Sequence, residues 1–438
     1  MSKGQEGSYL VKIQDGRQVW VGEEKVDLFS YLTSTTFEVH AISKFLDERW
    51  NVDSVPFNGH ENFHYSPLSV PKTTLELENQ KFHLSYWFPE GPFFSEGWTD
   101  ITHAILQGWY FNRNHLQPPF TEFSESINLL VQRLKQEKRL VTMPYRLLGS
   151  PERIQRSTLK VTRQTEDSIF IDGIQKFPSD SLVVHELLTF ASHQDQELLF
   201  TVPLNRDGVS LHVQSGDLDS GVVVHFKNVC IPWNTVLVQE KLEYMTSLFD
   251  SDHVTTYPDY QRVSSFYHQL EWLTSLAFYV VKETGESGKL HIQEVLGELL
   301  QQLDILKAYL HLSEIKAEQH SGGVVPHQQA LQTAKYQGIS FYKRAIEILQ
   351  RVSGELYLQN YYGDETHNDS KKLYSLISDY IASPAALSRQ QYQSFHAGDS
   401  EYAWANYYQA YSTDFLKNRL KDFWDFHKTE KLFSALPK

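Results

Sequence analysis

Lys227-Asn228-Val229-Cys230-Ile231-Pro232-Trp233-Asn234-Thr235-Val236 decides how this chain is read. Apolar residues crowd up to Pro232, where the missing N–H can no longer serve a strand ladder. The sequence before it is strand-rich and the sequence after it is helix-rich. The stretch therefore marks the exit from a β domain into a helical one.

Upstream, from about 157 to 240, the apolar period is two. Leu159 and Val161, then Ile169 and Ile171, alternate with polar residues. Asp172-Gly173 and Asp207-Gly208 supply turns, and the runs Leu182–Val184, Leu198–Val202, Val209–Val213 and Val222–Phe226 complete a set of short strands. Such a set predicts a small sandwich or barrel. Residues 1 to about 145 read as mostly helical after an opening hairpin around Asp15-Gly16, with helical spacing over Phe37–Trp50 and Ile127–Leu134. From about 258 onward the chain is helical. Pro258 suits the first turn of a helix running toward Thr284, and Leu296, Leu299, Leu300, Leu303, Leu306 and Leu310 form an apolar stripe on the next. Pro326 starts another that ends near Tyr357, and two more follow at about 368–382 and 398–434. The expected class is α+β and mostly α: an N-terminal helical domain (1–150), a middle β-barrel or sandwich (151–245) and a C-terminal helical bundle (246–438). That order resembles the acyl-CoA dehydrogenase architecture.

Composition narrows the function. A chain of 438 residues, 41% hydrophobic and 21% charged, buries a large core. A net charge of −14 repels phosphate backbones, so nucleic acid is not an expected partner. The single cysteine, Cys230, forms no internal disulfide, which fits a cytoplasmic location. No uninterrupted apolar run of about 18 residues suggests a membrane span, and MSKGQEGSYL carries no apolar signal core. The 26 Phe, 24 Tyr and 9 Trp serve either a ring-filled core with subunit interfaces or a site for a flat ligand.

Two motifs invite chemistry and fail on context. His60-Glu61-Asn62-Phe63-His64 has the H-E-x-x-H spacing of a zinc hydrolase, which needs a helix to align the imidazoles. Pro56, Gly59 and Pro67 bracket it and favour an irregular segment. Gly285-Glu286-Ser287-Gly288-Lys289 has two residues between its glycines where a phosphate loop has four, and it reads as an inter-helix turn. His185 and His225 fall on strand-like runs and read as structural.

Several segments, in order along the chain, resemble the oxygenase component of the 4-hydroxyphenylacetate 3-monooxygenase family. They are Tyr9-Leu10 with Gln14-Asp15-Gly16-Arg17 and Val26; Leu159-Lys160, Thr165-Glu166-Asp167 and Gly173; and Pro203 with Asp207-Gly208-Val209 and the opening Ile231-Pro232-Trp233. Gln293 with Leu296-Gly297-Glu298, Pro326 with Ala330-Leu331-Gln332-Thr333 and Ser353-Gly354, and Ala397-Gly398-Asp399-Ser400-Glu401 follow. The resemblance implies a homo-oligomer, dimer or tetramer, of acyl-CoA dehydrogenase-like fold. It implies reduced FAD supplied by a separate flavin reductase, with oxygen, to hydroxylate a phenol ortho to its hydroxyl. A sibling family, 4-hydroxybutyryl-CoA dehydratase, binds an iron–sulfur cluster through three cysteines, which one cysteine cannot provide.

Carried over residue by residue, the family's flavin-contacting Ala-Thr-Asn-Ser stretch falls on Pro178-Ser179-Asp180-Ser181, which makes Ser179 and Ser181 cofactor candidates. The FAD-holding Gly-Arg-His loop falls on Ala386–Arg389, which leaves Arg389, with Gly398 nearby, for the phosphates. The substrate pair falls near Ala191 and Ser192. Phe94 and Trp98 stand where the family places an arginine and a tyrosine, and no histidine occupies Arg139–Met143, where the catalytic one belongs. His103 and His115 are the replacement bases on offer. These departures suit a small aromatic or lipophilic substrate without a phenolate. Three readings follow: a flavin-dependent monooxygenase or oxidoreductase; a degenerate relative without flavin that serves as a binding or partner subunit; and, resting only on His60 and His64, a zinc peptidase.

Overall fold

The computed structural model of the protein describes residues 9–35, 68–85, 98–115, 121–144, 157–213, 221–250 and 252–354, with scattered helical positions between 373 and 390. The expected helices at Phe37–Trp50 and 398–434, the His60–His64 motif, Phe94, Arg389 and Gly398 lie outside the described residues. In chain order the helices are α1 (Tyr9–Lys12), α2 (Leu28–Thr35), α3 (Thr74–Ser85), α4 (Trp98–Asn112), α5 (Thr121–Glu137), α6 (Leu242–Asp250), α7 (Asp252–Glu283), α8 (Leu290–Ile315) and α9 (Gln328–Ser353). The strands are β1 (Gln18–Val21), β2 (Glu24–Val26), β3 (Val141–Thr142), β4 (Lys160–Gln164), β5 (Ser168–Phe177), β6 (Glu186–His193), β7 (Gln196–Pro203), β8 (Val209–Val213), β9 (Val222–Pro232) and β10 (Val236–Lys241), with a small hairpin of β11 (Glu318–His320) and β12 (Gly323–Val325).

Ten strands join one sheet in the order β10-β7-β6-β4-β5-β9-β8-β1-β2, with β3 beside β6. Among the described residues the path is open, with β10 at one end and β2 at the other. Pro232 is the last residue of β9, as the missing donor requires. The sheet then gains one more strand, β10, before the helices begin. β3 and β6 carry too few alternating positions to stand out in the sequence: all of β3 and six consecutive residues of β6 are buried, and such runs show no period.

Four local expectations are revised. The opening hairpin turns at Gly22-Glu23, where Gly22 has φ 60°; Asp15-Gly16 is a separate turn that leads from α1 into β1. Asp172-Gly173 is a bulge inside β5. Gly173 has φ 144°, and a Cβ there would sit 2.7 Å from the Thr158 carbonyl, so only glycine fits. Leu182–Val184 is no strand but the tail of a 3-10 turn (Ser179–Leu182). Pro258 lies inside α7, which starts six residues earlier at Asp252. Proline cannot donate to the carbonyl of Val254 four residues back, and Gly108 of α4 meets the helix at that point; a Cβ on Gly108 would be 2.7 Å from Val254 Cα.

Three main cores result. One lies within the sheet and beneath α1 and α2, built on Ile171, Ala191, Phe200 and Val229. A second fills the bundle of α3 and α7–α9, through Val263, Leu273, Leu299 and Leu349, and includes Leu373 and Ile377. The third is the seam between sheet and helices, where Leu188, Phe190 and Leu199 meet Trp109, Phe123, Ile127 and Leu248. Trp109 fixes α4 to α6 by donating its indole N–H to the Leu248 carbonyl at 2.7 Å.

Candidate functional site

The seam is built outward from β3. One edge of this two-residue strand pairs in parallel with Glu186-Leu187 of β6. The N–H groups of Val141 and Met143 point the other way and need partners. Side chains of α4 supply them: Val141 N–H donates to His103 Nε2 at 3.4 Å, and Met143 N–H donates to Thr102 Oγ1 at 3.2 Å. A helix thus stands where a neighbouring strand would be, and this brings His103 beside β3. β3 also touches the 3-10 turn Ser179–Leu182.

This junction holds buried polar atoms with no hydrogen-bond partner among the described residues: His103 Nδ1, Thr142 Oγ1 and Ser181 Oγ. His103 is 1% exposed, and burial pushes its imidazole down to about 3, so the ring is neutral at physiological pH. Its Nε2 accepts from Val141, which leaves the proton on Nδ1 as an unused donor. His103 is therefore arranged to donate a hydrogen bond, with its basic lone pair already engaged.

The flank of the turn is charged, and its guanidiniums are held by carboxylates. Arg17 is forked onto Asp15, Nε to Oδ1 at 2.9 Å and Nη2 to Oδ2 at 2.8 Å. Glu186, 1% exposed, takes both Arg133 (2.5 and 2.7 Å) and Arg139 (2.7 Å). His185 accepts from Leu140 N–H at 3.0 Å; burial, with the Arg139 and Arg17 cations, pushes it down to about 3.

The remaining sequence candidates separate. Ser179 opens the turn and Trp98 opens α4. His115 closes a 3-10 turn beyond the far end of α4, twelve residues and roughly 18 Å along the helix from His103. Ala191 is buried in the sheet core. Ser192 sits beside it, toward the end of β6 opposite the β3 pairing, with its hydroxyl 2.7 Å from Glu197 Oε1 and 3.3 Å from the Ser157 carbonyl. Both His103 and the turn that carries Ser181 touch β3, whereas His115, Ala191 and Ser192 lie elsewhere. Thr142 joins the cluster unforeseen; in the run Leu140-Val141-Thr142-Met143 a lone hydroxyl gives no periodic signal.

Residues 245–369, which cover α7 through α9, match the family model described as 4-hydroxyphenylacetate 3-hydroxylase C terminal. The chain is 21% identical over 406 residues to the 4-hydroxyphenylacetate 3-monooxygenase oxygenase component of Thermus thermophilus, covering 82% of this chain and 84% of that one. It is 24% identical over 305 residues to a probable 4-hydroxyphenylacetate 3-monooxygenase of Bacillus subtilis, covering 60% of this chain; the match spans 63% of that relative's length. The solved oxygenase component (HpaB) of 4-hydroxyphenylacetate 3-monooxygenase complexed with FAD superposes with a TM-score of 0.77 at 18% identity, over 97% of this chain and 98% of that one. The likeness spans most of the chain: its C-terminal helices match that family model, its sequence is similar to those oxygenase components at 21–24% identity, and its fold superposes on the solved one.

Proposed function

We propose that the protein is the FAD-dependent oxygenase component of a two-component monooxygenase acting on a small, uncharged aromatic or lipophilic substrate. The observation that carries this reading is the buried trio of His103 Nδ1–H, Thr142 Oγ1 and Ser181 Oγ, unpartnered among the described residues at the junction of sheet and helices. Leaving such groups buried and unpaired costs about 1–3 kcal/mol each. A ring edge bearing carbonyl and nitrogen acceptors is their chemical complement, so the residues present fit a flavin. Bound reduced FAD would supply the electrons that activate molecular oxygen for insertion of one oxygen atom into the substrate.

Ser179 and Ser181 would face the ring, with Arg389 and Gly398 toward the phosphates and Phe94 and Trp98 lining the substrate side. The apolar walls from Trp109, Phe123 and Phe190 exclude water from the seam. His103 would hold an acceptor oxygen by donation from Nδ1 and would not remove a proton. The guanidiniums around the site, Arg17, Arg133 and Arg139, are each committed to a carboxylate. Each of these three already holds an ion pair, which favours the uncharged substrate. The chain divides into three regions, 1–150, 151–245 and 246–438, with the sheet curling toward a barrel or sandwich, in a cytoplasmic homo-oligomer served by a separate flavin reductase.

Titration of the purified protein with oxidised and reduced FAD tests the reading. Saturable quenching of flavin fluorescence is expected, followed by turnover of neutral phenols when a reductase is added. The paired guanidiniums and the engaged His103 lone pair also favour a second reading, a partner subunit that no longer uses flavin. Failure to bind FAD at high micromolar concentration would select it.

A further inference from the structure

We infer that Arg17, with Tyr9, is a positioning residue that sets the flavin-facing turn at Ser179–Leu182; the inference rests on the flavin reading above. Residues 182–184 follow the turn without joining a strand, and their backbone groups divide in a revealing way. The N–H groups of Ser181, Val183 and Val184 bond within the turn, to Pro178 and Asp180 carbonyls at 2.9–3.1 Å. The three consecutive carbonyls of 182, 183 and 184 are served from more than 160 residues away in sequence. Arg17 Nη1 donates to Leu182 O at 3.0 Å and to Val184 O at 2.7 Å, and the Tyr9 hydroxyl donates to Val183 O.

Arginine suits this task because its planar fork offers donors in two directions. Nε and Nη2 grip the Asp15 carboxylate, which neutralises the charge and sets the plane, while both protons of Nη1 reach the turn. The local sequence builds the fork: Gly16 turns at φ 83°, and Asp15 also accepts from Arg17 N–H at 3.2 Å. The Arg17 side chain is 1% exposed, so water cannot replace it if it is lost. Lysine keeps the charge but presents a point donor and cannot bridge two carbonyls and a carboxylate at once. The clamped carbonyls begin one residue after Ser181, whose hydroxyl has no partner among the described residues and on the flavin reading would face the cofactor. Holding 182–184 therefore holds Ser181.

The test compares Arg17→Lys with Arg344→Lys, which loosens an ion pair to Glu298 in the bundle, remote from the turn. Thermal midpoint, amide hydrogen exchange at Ser181, Val183 and Val184, and the Kd for reduced FAD are measured on the full chain. Arg17→Lys is expected to speed exchange of those amides and weaken FAD binding, each about tenfold, while Arg344→Lys leaves both as in the wild type. Equal changes in Kd for equal loss of thermal midpoint, or unchanged exchange in Arg17→Lys, would overturn the inference. If Arg17→Lys does not fold, Tyr9→Phe removes only the bond to Val183 and gives the same readouts at about threefold. A wild-type chain that binds no flavin sinks the cofactor reading and this inference together. A wild type that binds, with Arg17→Lys binding equally well, sinks the inference alone.

Discussion

Two buried carboxylates in this molecule keep different company. Glu186, beside the candidate site, faces two guanidiniums whose side chains are 36% and 28% exposed. Asp259, in the bundle, faces the Lys335 ammonium at 2.8 Å, with Gln332 at 2.6 Å and Gln328 at 3.3 Å, and both charged side chains are nearly sealed from water. Burial drags the Lys335 ammonium below its ordinary range, against the pull of Asp259. The first arrangement can lose a partner and let water take over. The second cannot. Charge near the site is thus organised to orient backbone and side chains at modest risk, whereas charge in the bundle locks two long helices together.

The sharpest way to break this contrast is to remove one partner from each. Lys335→Met strands a buried carboxylate and should cost about 3–5 kcal/mol in denaturant unfolding. Glu186→Gln leaves cations that can hydrate and should cost clearly less. The reverse order would refute the comparison. Next in size, Gly108→Ala drives a methyl into the Val254 backbone and should cost about 1–3 kcal/mol. Gly338→Ala in the bundle meets the buried Phe266 side chain at 2.5 Å from its ring and 3.1 Å from its Cβ, so its loss should be comparable.

Acid separates the two regions further. His103 and His185 have folded-state values depressed to about 3. The stability they lend is full above about pH 6.5, their unfolded value, and drains away as pH falls toward 3. At pH 5 each should cost about 2 kcal/mol, and His103→Gln should flatten part of the acid limb of a plot of thermal midpoint against pH. The smallest stability effect is expected for Ser181→Ala. Deleting a buried hydroxyl without a partner should shift stability by no more than about 0.5 kcal/mol, while weakening FAD by about fivefold. A stability loss beyond about 2 kcal/mol would mean that the hydroxyl is already bonded in the free protein.

Much of the fold was legible because its signals are local and periodic. The exit at Pro232, the apolar stripe of α8 and the alternation in β4, β5 and β8 each follow from the shape of one element. What escaped reading depends on partners distant in sequence. Leu182–Val184 looks like a strand by composition, yet its carbonyls are taken by Tyr9 and Arg17, and nothing nearby announces that. Asp172-Gly173 carries a turn signature, but the same positive φ serves a bulge when Thr158 presses on it. The site was legible only partially for the same reason. Resemblance named Ser181 as a candidate and the sequence offered His103 as a spare base, whereas the arrangement of His103 as a donor depends on Val141 N–H, a contact made by the tertiary structure.

The open end of the sheet carries one more lesson. β2 is three residues long, and two of them, Glu24 and Lys25, are exposed and charged. An unpaired ribbon edge invites another chain to stack on it, and brevity with opposite charges discourages that intruder. Replacing both residues with valine would extend a sticky rim, so crowded expression of such a variant should yield filamentous or insoluble material even though the candidate seam is untouched.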